Sequence, residues 1–198
     1  LRIARDQLIA SRPTAIDLHN GVHSVYEQIL KFIPNYDHAR QVGLLAAQEF
    51  ANTSAEDCRL LGIVGSSIIP DGARILTHCN AGALATVDWG TALAAIRAAH
   101  RSGKNIFVYV DETRPRLQGS RLTAFELEQE GIPHAIITDS AAGFYFWKHE
   151  IDVVITGADR VCLNGDIANK IGTYEKAVMA HEHKIPFYIS APLSTFDQ

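Results

Sequence analysis

From Ile75 onward, short apolar runs alternate with stretches patterned as helices, and few folds accommodate that rhythm. The runs are Ile75 to Thr77, Ile106 to Val110, Ala135 to Thr138, Val153 to Thr156 and Phe187 to Ser190. They have strand length and are rich in β-branched residues. Between them, Leu93 and Ile96, Leu122 and Phe125, Phe144 and Trp147, and Tyr174 and Val178 recur at helical spacing. Alternation of this kind builds parallel strands with helices on both faces. It predicts an α/β fold, a Rossmann-like doubly wound parallel sheet over residues 71–198.

Residues 1–70 lack the short runs and read as helix throughout. Pro13 with Thr14 suits a helix start, and Leu18, Val22, Val25, Tyr26 and Ile29 follow at helical spacing until Pro34. Val42, Leu45, Ala46 and Phe50 give a second apolar face. Ser54 with Asp57 resembles a capping box, predicting a third helix with Leu60, Val64 and Ile68. Pro70-Asp71-Gly72 is a turn and the expected boundary between a partial helical domain, 1–70, and the sheet domain, 71–198.

A five-stranded doubly wound sheet is expected in the order 3-2-1-4-5. Its crevice opens beyond the carboxyl ends of strands 1 and 4, where the order reverses. Strand 1 ends at Cys79 and strand 4 just before Asp159. The topology therefore predicts that these two residues face one another.

Cys79 can serve as nucleophile, acid or base, or as a small buried side chain. At a strand-to-helix turn, its thiol is expected to feel the helix amino terminus and ionise more easily. Cys58 and Cys162 lack that setting and are assigned to packing. Asp159 follows the small pair Gly157-Ala158, which suits either a turn residue or an exposed carboxylate. The stretch Asn164 to Thr173 reads as a loop before a helix, offering amides and a lysine to phosphate and sugar hydroxyls. Arg114, Arg116 and Arg121 suit either phosphate or surface acids. Asp111 ends strand 2, where a dinucleotide-binding fold holds ribose, but the first turn has no G-x-G-x-x-G. His181 and His183 point to different helix faces, and His78 lacks partners at ligand spacing, so no metal site is expected.

The net charge of −4 leaves no basic field for nucleic acid, and no apolar stretch is long enough to span a bilayer. Cysteines number 3, an odd count without paired spacing, which fits a reducing cytoplasm.

The motifs are also recognisable. Thr77-His78-Cys79-Asn80-Ala81-Gly82, Asp111-Glu112-Thr113-Arg114-Pro115 through Gln118-Gly119-Ser120-Arg121, Gly157-Ala158-Asp159-Arg160, and Asn164-Gly165-Asp166 through Asn169-Lys170-Ile171-Gly172-Thr173 resemble the methylthioribose-1-phosphate isomerase family. That family is related to ribose-1,5-bisphosphate isomerase and to regulatory subunits of the initiation factor two exchange factor. The resemblance runs from Asp71 to Asp197, and Arg12-Pro13-Thr14-Ala15 matches a motif of the amino-terminal domain. It implies a cofactor-free aldose-ketose isomerase of methionine salvage, a phosphorylated sugar as substrate and a homodimer. Residue by residue it implies that Cys79 and Asp159 are catalytic and that Arg12, Gln118, Asn169 and Lys170 contact substrate. The alternatives within the resemblance are a non-catalytic regulatory module and an isomerase of another pentose phosphate. Where the family has an Asn-Leu-Phe-Trp-like run, this chain has Ile16-Asp17-Leu18-His19-Asn20. An Arg-Gly-Ala-Pro segment is expected ahead of Leu1 and a further segment after Gln198, so the chain is expected to be trimmed at both ends.

Overall fold

The computed structural model describes residues 1–197. Three helices come first: α1 (Arg2–Ser11), α2 (Ile16–Leu30) and α3 (Tyr36–Ser67). Pro34 lies in the turn after α2, as expected. The predicted second and third helices are one continuous helix, so Ser54 is not a cap. Neither glycine nor proline interrupts Asn52-Thr53-Ser54, and the buried face runs on from Ala39 and Gly43 to Cys58 and Gly62. Burial along that face outweighs the weak helix preference of three polar residues.

The sheet strands follow: β1 (Arg74–Thr77), β2 (Phe107–Asp111), β3 (His134–Ile137) and β4 (Val153–Thr156). Helices α4 (Ala92–Arg101), α5 (Ala124–Gln129) and α6 (Ala142–Trp147) connect them. After β4 come two short strands absent from the sequence reading, β5 (Arg160–Cys162) and β6 (Ile167–Ala168). Then α7 (Thr173–Glu182), β7 (Phe187–Ile189) and β8 (Phe196–Asp197) complete the described chain. The main sheet has the order β3-β2-β1-β4-β7, all pairs parallel. This is the predicted doubly wound order, with β7 as its fifth strand.

One layer of core lies between the sheet and α4, with Ile75, Val108, Val153 and Ile155 against Leu93 and Ile96. The other packs Leu76 and Val154 against Phe146 and Ala180 of α6 and α7. Alternate residues of β1 and β4 thus serve opposite faces, as the pleat requires. A second sheet, β6-β5-β8, grows from the segment after Asp159. It turns the predicted loop at Asn164 into a hairpin. The Asn164 side chain accepts from the Asp166 N–H at 3.0 Å, and Gly165 takes positive φ.

Candidate active site

The carboxyl ends of β1 and β4 approach closely because Gly157 carries no side chain. A Cβ there would lie 2.7 Å from the Ala81 Cβ. The turn after β1 is pinned from several directions. The Cys79 N–H donates to Thr113 Oγ1 at 2.9 Å, and the Thr123 hydroxyl donates to the Cys79 carbonyl at 2.6 Å. Between these bonds Cys79 takes φ 68°, a left-handed conformation that a residue with a Cβ adopts only under constraint. Buried Glu126 clamps the rest of the turn. Its carboxylate accepts from Asn80 Nδ2 at 2.9 Å, the Ala83 N–H at 2.8 Å and Arg97 Nη2 at 3.1 Å.

The expected helix does not start at Cys79. A single 3-10 turn, Ala83–Ala85, intervenes, and α4 begins only at Ala92. The Cys79 thiol therefore gains no helix dipole. Burial pushes it above the ordinary cysteine range, opposed by the Asn80 N–H and by the charges of Lys170 and Arg12, with Asp159 adding to the rise. Desolvation of the thiolate exceeds the help from the nearby cations.

Asp159 is half-buried. Its position is set by its backbone. The N–H donates to the Ala168 carbonyl at 2.9 Å, and its carbonyl accepts from the Ile16 N–H at 3.2 Å. The first turn of α2 is thereby tied to the end of β4, and Arg12, just before α2, is carried to the crevice.

A cleft of about 760 Å³ is lined by Cys79, Asp159, Arg12, Gln118 and Lys170. A narrower recess of about 90 Å³ adjoins it, sharing Cys79, Asp159 and Arg12 and adding Asn169 and Asp17. All six residues singled out from the sequence thus line one connected crevice. Gln118 Oε1 is buried without a partner, an acceptor left for a ligand. Asn169 Nδ2 donates to Thr173 Oγ1 at 3.0 Å, which orients its amide. Of the three arginines after β2, Arg116 and Arg121 line the cleft and Arg114 does not. The cleft rim thus carries Arg12, Arg116, Arg121 and Lys170 against the carboxylate of Asp159, a setting for a polyanionic ligand. The apolar groove beside α1 and α2, about 570 Å³, lacks Cys79 and Asp159 and offers no comparable chemistry.

Sequence reasoning missed three features. His78, for which the sequence showed no partner at ligand spacing, is fully buried against Asp111, the acid that ends strand β2. Both are polar, and only their tertiary neighbours reveal their burial. Cys162, assigned to packing, is exposed, because β5 belongs to the small outer sheet. Cys58 is buried as expected. Among the described residues no helix is long and apolar enough to cross a membrane.

The chain is similar to known proteins over nearly its whole length. A methylthioribose-1-phosphate isomerase of Desulforamulus reducens is 50% identical over 193 residues, covering 96% of this chain and 56% of that protein. The crystal structure of 5-methylthioribose 1-phosphate isomerase from Pyrococcus horikoshii OT3 superposes with a TM-score of 0.88 at 40% identity, covering 100% of this chain and 55% of that one. The structure described as translation initiation factor eIF-2B, subunit delta, from A. fulgidus gives a TM-score of 0.83 at 45% identity, covering 97% and 56%. The chain spans about half the length of the curated relatives it matches. The family model described as "Initiation factor 2 subunit family" matches residues 1–198, and the chain belongs to that family.

Proposed function

We propose that the protein is an aldose-ketose isomerase that converts 5-methylthioribose 1-phosphate to 5-methylthioribulose 1-phosphate, a step of methionine salvage. The observation that carries this reading is the convergence of a thiol and a carboxyl, Cys79 and Asp159, in one cation-rimmed crevice. The similarity to isomerases over nearly the whole chain supports it.

The chemistry follows from the substrate. Phosphate on the anomeric oxygen prevents spontaneous opening to an aldehyde, so the ring oxygen must be protonated as its bond to C1 breaks. Asp159 is assigned that proton. Hydrogen then moves from C2 to C1, and the C2 hydroxyl gives up its proton as the ketone forms. The carboxylate left on Asp159 is assigned to take that proton back, which closes the balance. Cys79 is assigned to the C1–C2 edge. Its thiol, pushed up by burial, rests protonated near neutrality. Arg12 and Lys170 are assigned to phosphate, and Gln118 and Asn169 to sugar hydroxyls. Phosphate binding then orients C1 and C2 for reaction.

We assign residues 1–70 to a helical domain that delivers Arg12 and residues 71–198 to a catalytic sheet domain. We also propose a cytoplasmic homodimer. The exposed apolar side chains Phe144 and Trp147 on α6 and Tyr174 on α7 supply surface for a second copy. The similarity to an eIF-2B delta structure favours a second reading, a non-catalytic regulatory module. The pairing of Cys79 with Asp159 weighs against it, because a binding module has no chemical use for the pair.

Incubation with 5-methylthioribose 1-phosphate should yield the ketose, more efficiently than 5-deoxyribose 1-phosphate does. Asp159→Asn should lower kcat by about 100-fold or more while leaving product affinity within a few fold. Wild-type protein that binds sugar phosphate without producing ketose would support the regulatory reading.

A further inference from the structure

Behind Cys79 lies a buried charge cluster that the proposed chemistry does not use. The side chains of His78, Asp111 and Lys176 have 0% exposure. His78 Nδ1 lies 2.7 Å from Asp111 Oδ2, and its Nε2 lies 2.8 Å from the carbonyl oxygen of Ile171. Lys176 Nζ is 3.4 Å from the same Asp111 oxygen and donates to the Asp139 carbonyl at 2.7 Å. The Asp139 carboxylate accepts the N–H groups of Thr113 and Arg114, each at 2.7 Å. The charged groups around His78 are therefore Asp111 from β2 and Lys176 from α7, with Asp139 after β3 beyond them.

His78, Asp111 and Asp139 bring ligand atoms within 4.8 Å of one another, a spacing that a metal ion also uses. The Lys176 ammonium supplies the positive charge there, and a second cation beside it is disfavoured. The cluster acts as a brace instead. A carbonyl oxygen only accepts, so Nε2 must carry a proton to bond Ile171. One further proton lies between Nδ1 and Asp111. Burial pushes the Asp111 carboxyl up, while His78 and Lys176 pull it back.

The covalent neighbours give this brace its meaning. His78 precedes Cys79, and Ile171 follows Lys170. The imidazole thus joins the strand end bearing the thiol to the segment bearing Asn169 and Lys170. Gly172 takes φ 100°, and a Cβ on it would lie 2.9 Å from His78 Cε1, so that segment lies directly on the ring edge.

We propose that His78 is a positioning residue whose Nε2–H bond to the Ile171 carbonyl holds Asn169 and Lys170 in place beside Cys79. The proposal rests on the reading of the crevice as a sugar-phosphate site. It explains why a buried histidine stands next to the reactive thiol without lining the main cleft.

Two substitutions separate this role from general packing. A glutamine amide reaches the place of Nε2 and can still donate to Ile171, whereas asparagine reaches only the place of Nδ1. His78→Asn should raise KM for 5-methylthioribose 1-phosphate, and Kd for inorganic phosphate, about tenfold, the effect of losing one such hydrogen bond. Its kcat should fall less than its KM rises. His78→Gln should stay within about threefold of wild type in both constants. Equal weakening by both variants, or by neither, overturns the proposal. Nitrogen-15 spectra of the unsubstituted protein supply a test that needs no variant to fold. They should show a protonated Nε2 on His78 at neutral pH, and an Nε2 lone pair overturns the proposal. If the wild type isomerises no sugar phosphate, the functional reading fails, yet the phosphate titration and the nitrogen spectrum still decide the role of His78.

Discussion

Cys79 is held in a strained backbone conformation by bonds to both of its peptide groups, and its thiol is pushed up by burial. A thiol in that state is a slow target for alkylation, because the thiolate is the reacting form. At pH 7, iodoacetamide should therefore modify exposed Cys162 before Cys79, and the Cys79 rate should keep rising above pH 9. Peptide mapping over a time course would read the order directly. Cys79 labelled first would mean that the neighbouring cations prevail over burial. Cys79→Ser keeps the shape of the side chain but replaces a thiol with a far weaker acid. It should cost on the order of 100-fold in turnover with product affinity retained. Near-normal turnover would return Cys79 to a packing role.

At the level of elements, the turn after β1 acts as a fixed frame. Glu126 reaches it from α5 and Arg97 from α4, so two helices on the same face of the sheet hold the loop that bears the thiol. The Arg97–Glu126 pair is at least nine-tenths buried, and Arg97 Nη1 also donates to the Trp89 carbonyl at 2.8 Å. Removing Glu126 leaves buried Arg97 with Glu130 alone, whose Oε1 lies 3.1 Å from its Nε, and leaves the Ala83 N–H without its acceptor. Glu126→Ala should lower unfolding stability by about 3 kcal/mol, seen as a reduced urea midpoint. Glu126→Gln, which still accepts from the turn, should lower it less. Equal midpoints for the two variants would show that the clamp rests on the carboxylate charge and not on the acceptor that Gln keeps.

Across the whole molecule, pH acts through groups that folding keeps protonated. Burial pushes Cys58 up to about 11, and burial together with a hydrogen bond to Glu150 pushes Tyr109 up to about 12. In the unfolded chain these groups ionise near roughly 8.5 and 10. Between those values and the folded ones, the unfolded state binds fewer protons, so stability falls as pH rises. The urea midpoint should drop between pH 8 and pH 10.5, and Cys58→Ala should show a shallower drop. Parallel curves would remove Cys58 from the account. The same distinction between local and assembled properties governs what the sequence disclosed. The five strands were legible because apolar runs such as Val153 to Thr156 alternate with helical stretches, whereas their order came from the fold class and not from any residue. The crevice was legible because strand order fixes which ends meet. The strands β5, β6 and β8 carry only two or three residues each, too few to show any period. The burial of His78 and the exposure of Cys162 depend on neighbours distant in sequence, which no local pattern records.

Asp159 is braced by segments from distant parts of the chain. Ile16 holds its carbonyl and Ala168 its N–H, while the adjoining Arg160 bonds Thr14 at 3.1 Å and Asp197 at 2.7 Å. A growing chain that has just released β4 has most of its main sheet but none of the later supports, so Asp159 has no fixed address. The site therefore matures late in synthesis, after the scaffold that displays it. Clipping within the hairpin after Asp159 should likewise silence the crevice while the main sheet stays folded.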